Sequence, residues 1–182
     1  MSDSLRIGRL ETVAARTRPD LVAAAVTAAL AADPTLTAHV AEIDPELADT
    51  VRFCSAYDVP PEVSANCVVV AGRRGGDERV AACLVLATTR ADVNGVVRRR
   101  LDVRKASFLP MERAVELTGM EYGGITPLGL PPGWPVLVDA AVATLPYAVV
   151  GSGIRRSKLA VPGDVLAALP GAEVVELLGR PG

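Results

Sequence analysis

A chain of 182 residues, half of them apolar, with a formal charge of −2 and a pI near 5.5, is long enough for one domain with its own core and is not the composition of a disordered chain. So balanced a charge excludes a wholesale nucleic-acid binder, and any contact with RNA has to come from a local basic patch. One histidine and three widely spaced cysteines exclude a disulfide framework, a zinc knuckle and a site of several imidazoles, so neither a metal nor a cofactor is expected.

The opening stretch "MSDSLRIGRLETVAARTRPD" mixes charges into every short apolar run. It lacks the uninterrupted centre of a signal peptide, which predicts a cytoplasmic protein. The Ala-rich run over residues 19–33 then favours helix and ends before Pro34, so residues 1–37 are read as an N-terminal helical extension. A strand is expected over residues 38–43, carrying His39 as a structural residue. Asp44 can cap the next helix with Pro45 at its first position, and Leu47, Val51 and Cys54 share a face of it.

"VSANCVVVAGRRGGDERVAACLVLATT" reads as a hairpin whose charged turn covers residues 73–79. A helix over residues 92–101 and an extended piece over 106–108 follow, then a helix begun by Pro110 and stopped by Gly119. Beyond residue 134, "PVLVDA" and "YAVVGSG" carry the β-branched residues of buried strands, and "KLAVP" can return as a hairpin partner. "GDVLAALPG" is a short helix and "EVVELL" a last strand. The apolar run after Pro135 is broken by Asp139 and Pro146, and it never reaches the roughly 18 uninterrupted residues of a membrane span. Hairpins with interspersed helices predict an α+β domain with a mixed sheet.

Between the helix and the strand lies "ELTGMEYGGITPLGLPPGW". Gly119, Gly123, Gly124 and Gly129 can take positive φ or admit another backbone, while Pro127, Pro131 and Pro132 stiffen the path. Such a loop is either a tight corner or a set of preorganised N–H donors for a ligand oxygen.

Extended to "ELTGMEYGGITPLGLPPGWPVLVD", the segment resembles the signature of the YbaK and prolyl-tRNA synthetase-associated editing-domain family. In that family a Thr-Gly, a Gly-Gly-(Val/Ile)-(Ser/Thr)-Pro-Leu-Gly loop and a strand ending in Asp come in this order. "KASFLPMERAVELTG" and "VVGSGIRRSKLAVPGDVLAAL" resemble the helix before the loop and the closing hairpin with the last helix. The resemblance implies a mixed, partly barrel-like sheet with surrounding helices over residues 38–182. It also implies hydrolysis, in trans and without a metal, of the ester of a small mischarged aminoacyl-tRNA. The acceptor end of that tRNA is the implied partner, a protein partner being a second expectation.

In the family a lysine on a strand anchors the substrate; here the matching strand reads "SANCVVVAG", with Asn66 at the lysine's place and Cys67 beside it. That departure opens a second reading, a binding module of the same fold that has lost the chemistry. Another cation, such as Arg79 or Lys105, could also swing in. The resemblance assigns catalysis to Asn66, Gly123, Gly124 and Thr126, and substrate binding to Tyr122, Ile125, Pro127, Gly151, Ser152 and Gly153. Two basic clusters are candidates for gripping tRNA or are plain solvated surface. Arg98, Arg99, Arg100, Arg104 and Lys105 form the first; Arg155, Arg156 and Lys158 form the second.

Overall fold

The computed structural model describes residues 4–182. In chain order the elements are β1 (Ser4–Ile7), β2 (Leu10–Ala14), α1 (Ala24–Ala32), β3 (His39–Glu42), α2 (Thr50–Tyr57), β4 (Ala65–Arg74), β5 (Asp77–Leu86) and β6 (Thr89–Ala91). They continue with α3 (Arg98–Leu101), β7 (Ala106–Phe108), α4 (Met111–Thr118), β8 (Val136–Asp139), α5 (Ala140–Ala143), β9 (Ala148–Gly151), β10 (Ser157–Val161), α6 (Gly163–Ala167), β11 (Ala172–Val175) and β12 (Gly179–Pro181).

Two five-stranded sheets dominate this mixed α+β architecture, in the orders β1-β2-β3-β10-β9 and β11-β8-β5-β4-β7. The first is antiparallel throughout, whereas β8 runs parallel to both β5 and β11. A parallel bridge between Ser64 and Val149 joins the first sheet's β9 edge to the start of β4, so one sheet curls into the other.

Side-chain alternation sorts the strands onto three larger cores and a small one of Val69, Leu109 and Ala114. Leu84, Val136, Val138, Val150, Leu159 and Val161 face the largest one, which α1 and the Gly-rich loop close with Val26, Leu30, Met120 and Leu128. Their neighbours Cys83, Val85 and Leu137 face the second, under Val93, Val96, Val97 and Leu101. On the outer side of the first sheet, Ala41 and Val149 pack with Phe53 and Cys54 of α2.

Local signals explain most boundaries, but several expectations need correction, among them the last strand, which ends at Val175 and is followed by β12. Pro110 opens α4 and Gly119, at φ 66°, takes up the left-handed position that ends it. Residues 4–14, inside the expected helical extension, form instead a hairpin that turns through Gly8 at φ 56° and pairs with β3. Their alternating apolar and charged residues fit a half-buried strand pair. Asp44 does accept from the Glu46 N–H, at 2.9 Å, but the turn it caps is a 3₁₀ turn, Pro45–Leu47, separate from α2. The helix expected over residues 92–101 begins as a π-helical turn, Val93–Val97; Asp92 caps it through the Gly95 N–H at 2.9 Å. Among the described residues no helix is long and apolar enough to cross a membrane.

Candidate functional site

The Gly-rich loop and the turn between β9 and β10 lie backbone against backbone. A Cβ on Gly124 would stand 2.8 Å from the carbonyl carbon and oxygen of Ile154, and one on Gly151 would stand 2.4 Å from the Gly124 oxygen. The contact is closed by hydrogen bonds from the Gly153 N–H to the Gly124 oxygen, 2.7 Å, and from the Glu121 N–H to the Gly153 oxygen, 2.9 Å. Close approach, more than conformational freedom, therefore explains these two glycines.

This junction forms one wall of a cavity of about 470 Å³. Asn66 to Val69 of β4 supply another wall, Phe108 to Ala114 a third, and the segment from Ala48 to Thr50 a fourth. Asn66 is oriented by α2: its Oδ1 accepts from the Thr50 hydroxyl at 2.7 Å, which leaves Nδ2 to donate elsewhere. Tyr122, Gly123, Ile125 and Gly151 line the same space. The Gly124 N–H is engaged by the Glu121 oxygen at 3.0 Å. Those of Gly123 and Ile125 donate to nothing within the chain among the described residues.

The other sequence candidates lie behind this wall or away from it. Thr126 is fully buried and its hydroxyl has no partner among the described residues. Ser152 is buried too; its hydroxyl lies 2.7 Å from that of Ser157 and donates to the Ile154 oxygen. Gly153 packs on Ala23 and Met120. Pro127 lines a different, larger cavity of about 670 Å³ between α1, the proline-rich stretch and α6.

Sequence reasoning missed the one cation that lines the pocket among the described residues. Lys158, grouped with Arg155 and Arg156 as a tRNA contact, is 9 % exposed, and its Nζ enters the pocket wall to donate to the Ala48 oxygen at 3.0 Å. It also stands 5.1 Å from the centre of the Phe53 ring. Its cross-strand neighbours are Ala41 and Gly151, both small, which leaves room for the long side chain. Burial pushes its pKa down from 10.5 to about 8; Arg155 lowers it as well, while Cys54 and Asp49 act the other way. The usable signal was a lone charge in the otherwise uncharged, fully buried strand "SKLAV".

Arg79 and Lys105, the expected substitutes for a strand lysine, do not reach this space. Arg79 donates to the Leu101 oxygen and pairs with Asp102, and Lys105 is exposed. Arg155 latches the loop, donating to the Tyr122 oxygen at 3.2 Å and the Pro45 oxygen at 3.1 Å. Arg156 donates to the Asp20 oxygen and faces Glu42. In the first cluster Arg98 bonds the Asn94 oxygen and Arg100 pairs with Glu173, while Arg99, Arg104 and Lys105 are exposed. His39 meets Tyr147 edge-on, with ring centres 6.1 Å apart. Burial raises all three thiols, Cys83 to about 12 and Cys67 beyond, so Cys67 is a poor nucleophile. Among the described residues no group of three His, Cys, Asp or Glu side chains could hold a metal ion.

With this geometry in place, the sequence matches the aminoacyl-tRNA editing domain family over residues 44–169. The chain belongs to that family. Among solved structures it is similar to one described as a candidate trans-editing enzyme for prolyl-tRNA synthetase, at 22 % identity and a TM-score of 0.71, covering 87 % of this chain and 96 % of that one. A protein described only as hypothetical superposes with a TM-score of 0.74 at 20 % identity, covering 86 % and 99 %. A scaffold used for epitope grafting by computational design gives 0.72 at 22 %, covering 88 % and 97 %. At these identities the likeness establishes the fold. No curated protein matches the chain.

Proposed function

We propose that this editing domain hydrolyses the ester of a small amino acid wrongly attached to tRNA, acting in trans in the cytoplasm. The observation that carries the reading is the convergence on one pocket of Asn66, the Gly123 loop and Gly151 at the end of β9, three sequence-distant segments of a family whose members edit aminoacyl-tRNA. Its volume suits a small side chain together with part of a terminal nucleoside.

In this reading the ester carbonyl faces the loop, where the N–H groups of Gly123 and Ile125 are fixed before charge develops on the oxygen. Asn66 donates through Nδ2 to the carbonyl or the attacking water, its amide held by Thr50. The substrate's own ribose hydroxyl, as the family resemblance implies, assists the water, so the histidine-poor composition is no obstacle. The exposed Arg99, Arg104 and Lys105 supply a salt-sensitive grip on the acceptor stem.

The test is deacylation of a panel of tRNAs charged with Ala, Ser, Cys or Thr. Release from at least one, faster than from correctly charged controls, is the expected result. Silence across the panel, together with retained binding of the acceptor end, would replace hydrolysis by the binding-module reading.

A further inference from the structure

Lys158 poses an energetic problem that the pocket's other residues do not solve. A buried ammonium costs free energy unless its donors and its charge are answered. Of its three N–H groups one meets the Ala48 oxygen, and the Phe53 ring offers a weak electrostatic partner. Among the described residues Lys158 forms no ion pair; the neighbouring Asp49 carboxylate faces Arg155 at 3.9 Å. The groups that act on it are Asp49 before α2, Cys54 on α2 and Arg155 in the β9–β10 turn. None of these pairs with it: Asp49 lines the same cavity but its carboxylate faces Arg155, so two donors of the ammonium are left on the wall of a cavity that also holds Asn66, Tyr122 and Gly123.

We infer that Lys158 is the anion-holding residue of this pocket, placed on β10 to engage a negatively charged oxygen of the ligand. The inference rests on the pocket being the ligand site proposed above, and it assigns the charge to a strand different from the one that carries Asn66. Two sources offer the same chemistry: a phosphate of the terminal nucleotide, or the oxyanion that forms when water attacks the ester carbon. A phosphate is bound equally in ground and transition states, so its loss raises KM. An oxyanion exists only during reaction, and its loss lowers kcat.

The decisive experiment compares wild type with Lys158→Met, Lys158→Arg and the double variant Lys158→Met with Asn66→Lys. Lys158→Met keeps the length of the stem and removes an uncompensated charge, so it is expected to fold and to melt higher than wild type. Binding of adenosine 5′-monophosphate and of adenosine, followed by amide chemical shifts, reads the phosphate arm without requiring turnover. Deacylation kinetics read the oxyanion arm.

Phosphate holding predicts that Lys158→Met weakens the monophosphate by roughly tenfold or more and leaves adenosine unchanged. Oxyanion holding predicts equal binding of both probes with a kcat reduced by roughly tenfold or more. In either case the double variant recovers part of the loss, and the affected parameter falls as pH rises through about 8 in wild type but not in Lys158→Arg. Unchanged binding of both probes together with unchanged kinetics in Lys158→Met would overturn the inference, whatever the fate of the hydrolysis reading. If no tRNA is deacylated by wild type, a monophosphate preference that vanishes in Lys158→Met still supports the assignment; an equal affinity for the two probes overturns it.

Discussion

Two cavities among the described residues are of comparable size and opposite character. The larger, about 670 Å³, is walled by alanines, leucines and a run of prolines, with Asp33 and Thr35 at its polar side. The smaller, about 470 Å³, gathers Lys158, Asn66, Thr50, Asp49 and Tyr122 around glycine backbone. Volume alone would select the first. Energetics favours the second, because burying an ammonium there gives up stability that an apolar lining would keep, and a perturbed, buried charge beside a cavity marks a candidate site.

The sharpest way to break that contrast is to fill the backbone junction of the smaller cavity. A side chain on Gly124 meets the Ile154 backbone at 2.8 Å, and main chain cannot step aside as a flexible side chain can. Gly124→Val is therefore expected to push the loop off the β9–β10 turn, costing about 2 kcal/mol in stability by overpacking and about 100-fold in deacylation through misplacement of the donors. Urea unfolding and single-turnover hydrolysis measure both. A variant with full activity would remove the loop from the site.

Next in size is the effect of pH on folding. With the Lys158 ammonium at 10.5 in the unfolded chain and about 8 in the native one, the unfolded state binds more protons between these values. Stability therefore rises with pH across that window; the cost of the buried charge is complete below about 8 and gone above 10.5. The gain is about 3 kcal/mol at most. Urea titrations from pH 7 to 10.5, with Lys158→Met as reference, isolate it: the difference between the two proteins should shrink as pH increases. A difference that stays constant would mean that Lys158 is not charged and buried together.

How much of this contrast could be read from the sequence depends on which contacts each part needs. Pro110, Gly119 and the β-branched runs of β4 and β5 act through neighbours in the chain, and those elements are where the sequence places them, except that the turn expected over residues 73–79 narrows to Gly75 and Gly76 because the charged residues on either side pair as strand. The loop was singled out through its family signature and Asn66 through its place on β4, and both line the smaller cavity, although the reason for Gly124 and Gly151 is each other's backbone. Lys158 was not legible as a pocket residue. Alternation separates it from Ser157 and Leu159, but whether that outer face meets water depends on α2 packing across it with Phe53 and Cys54, a contact between segments about a hundred residues apart. The N-terminal hairpin was missed for a related reason: its charges mask an alternation whose apolar half is satisfied only by β3 and α2.

The smallest expected effect is also the cleanest check on the comparison. Ala168, just past α6, borders the larger cavity and takes no part in the smaller one. Because it is exposed, a leucine can lie into the groove without displacing core atoms. If the apolar cavity is a packing gap between α1, the proline-rich stretch and α6, Ala168→Leu should alter stability by about 0.5 kcal/mol or less and leave kcat and KM within about twofold. A loss of tenfold or more in either constant would mean that substrate reaches across the proline-rich stretch, and that charge is a poorer guide to the site than volume.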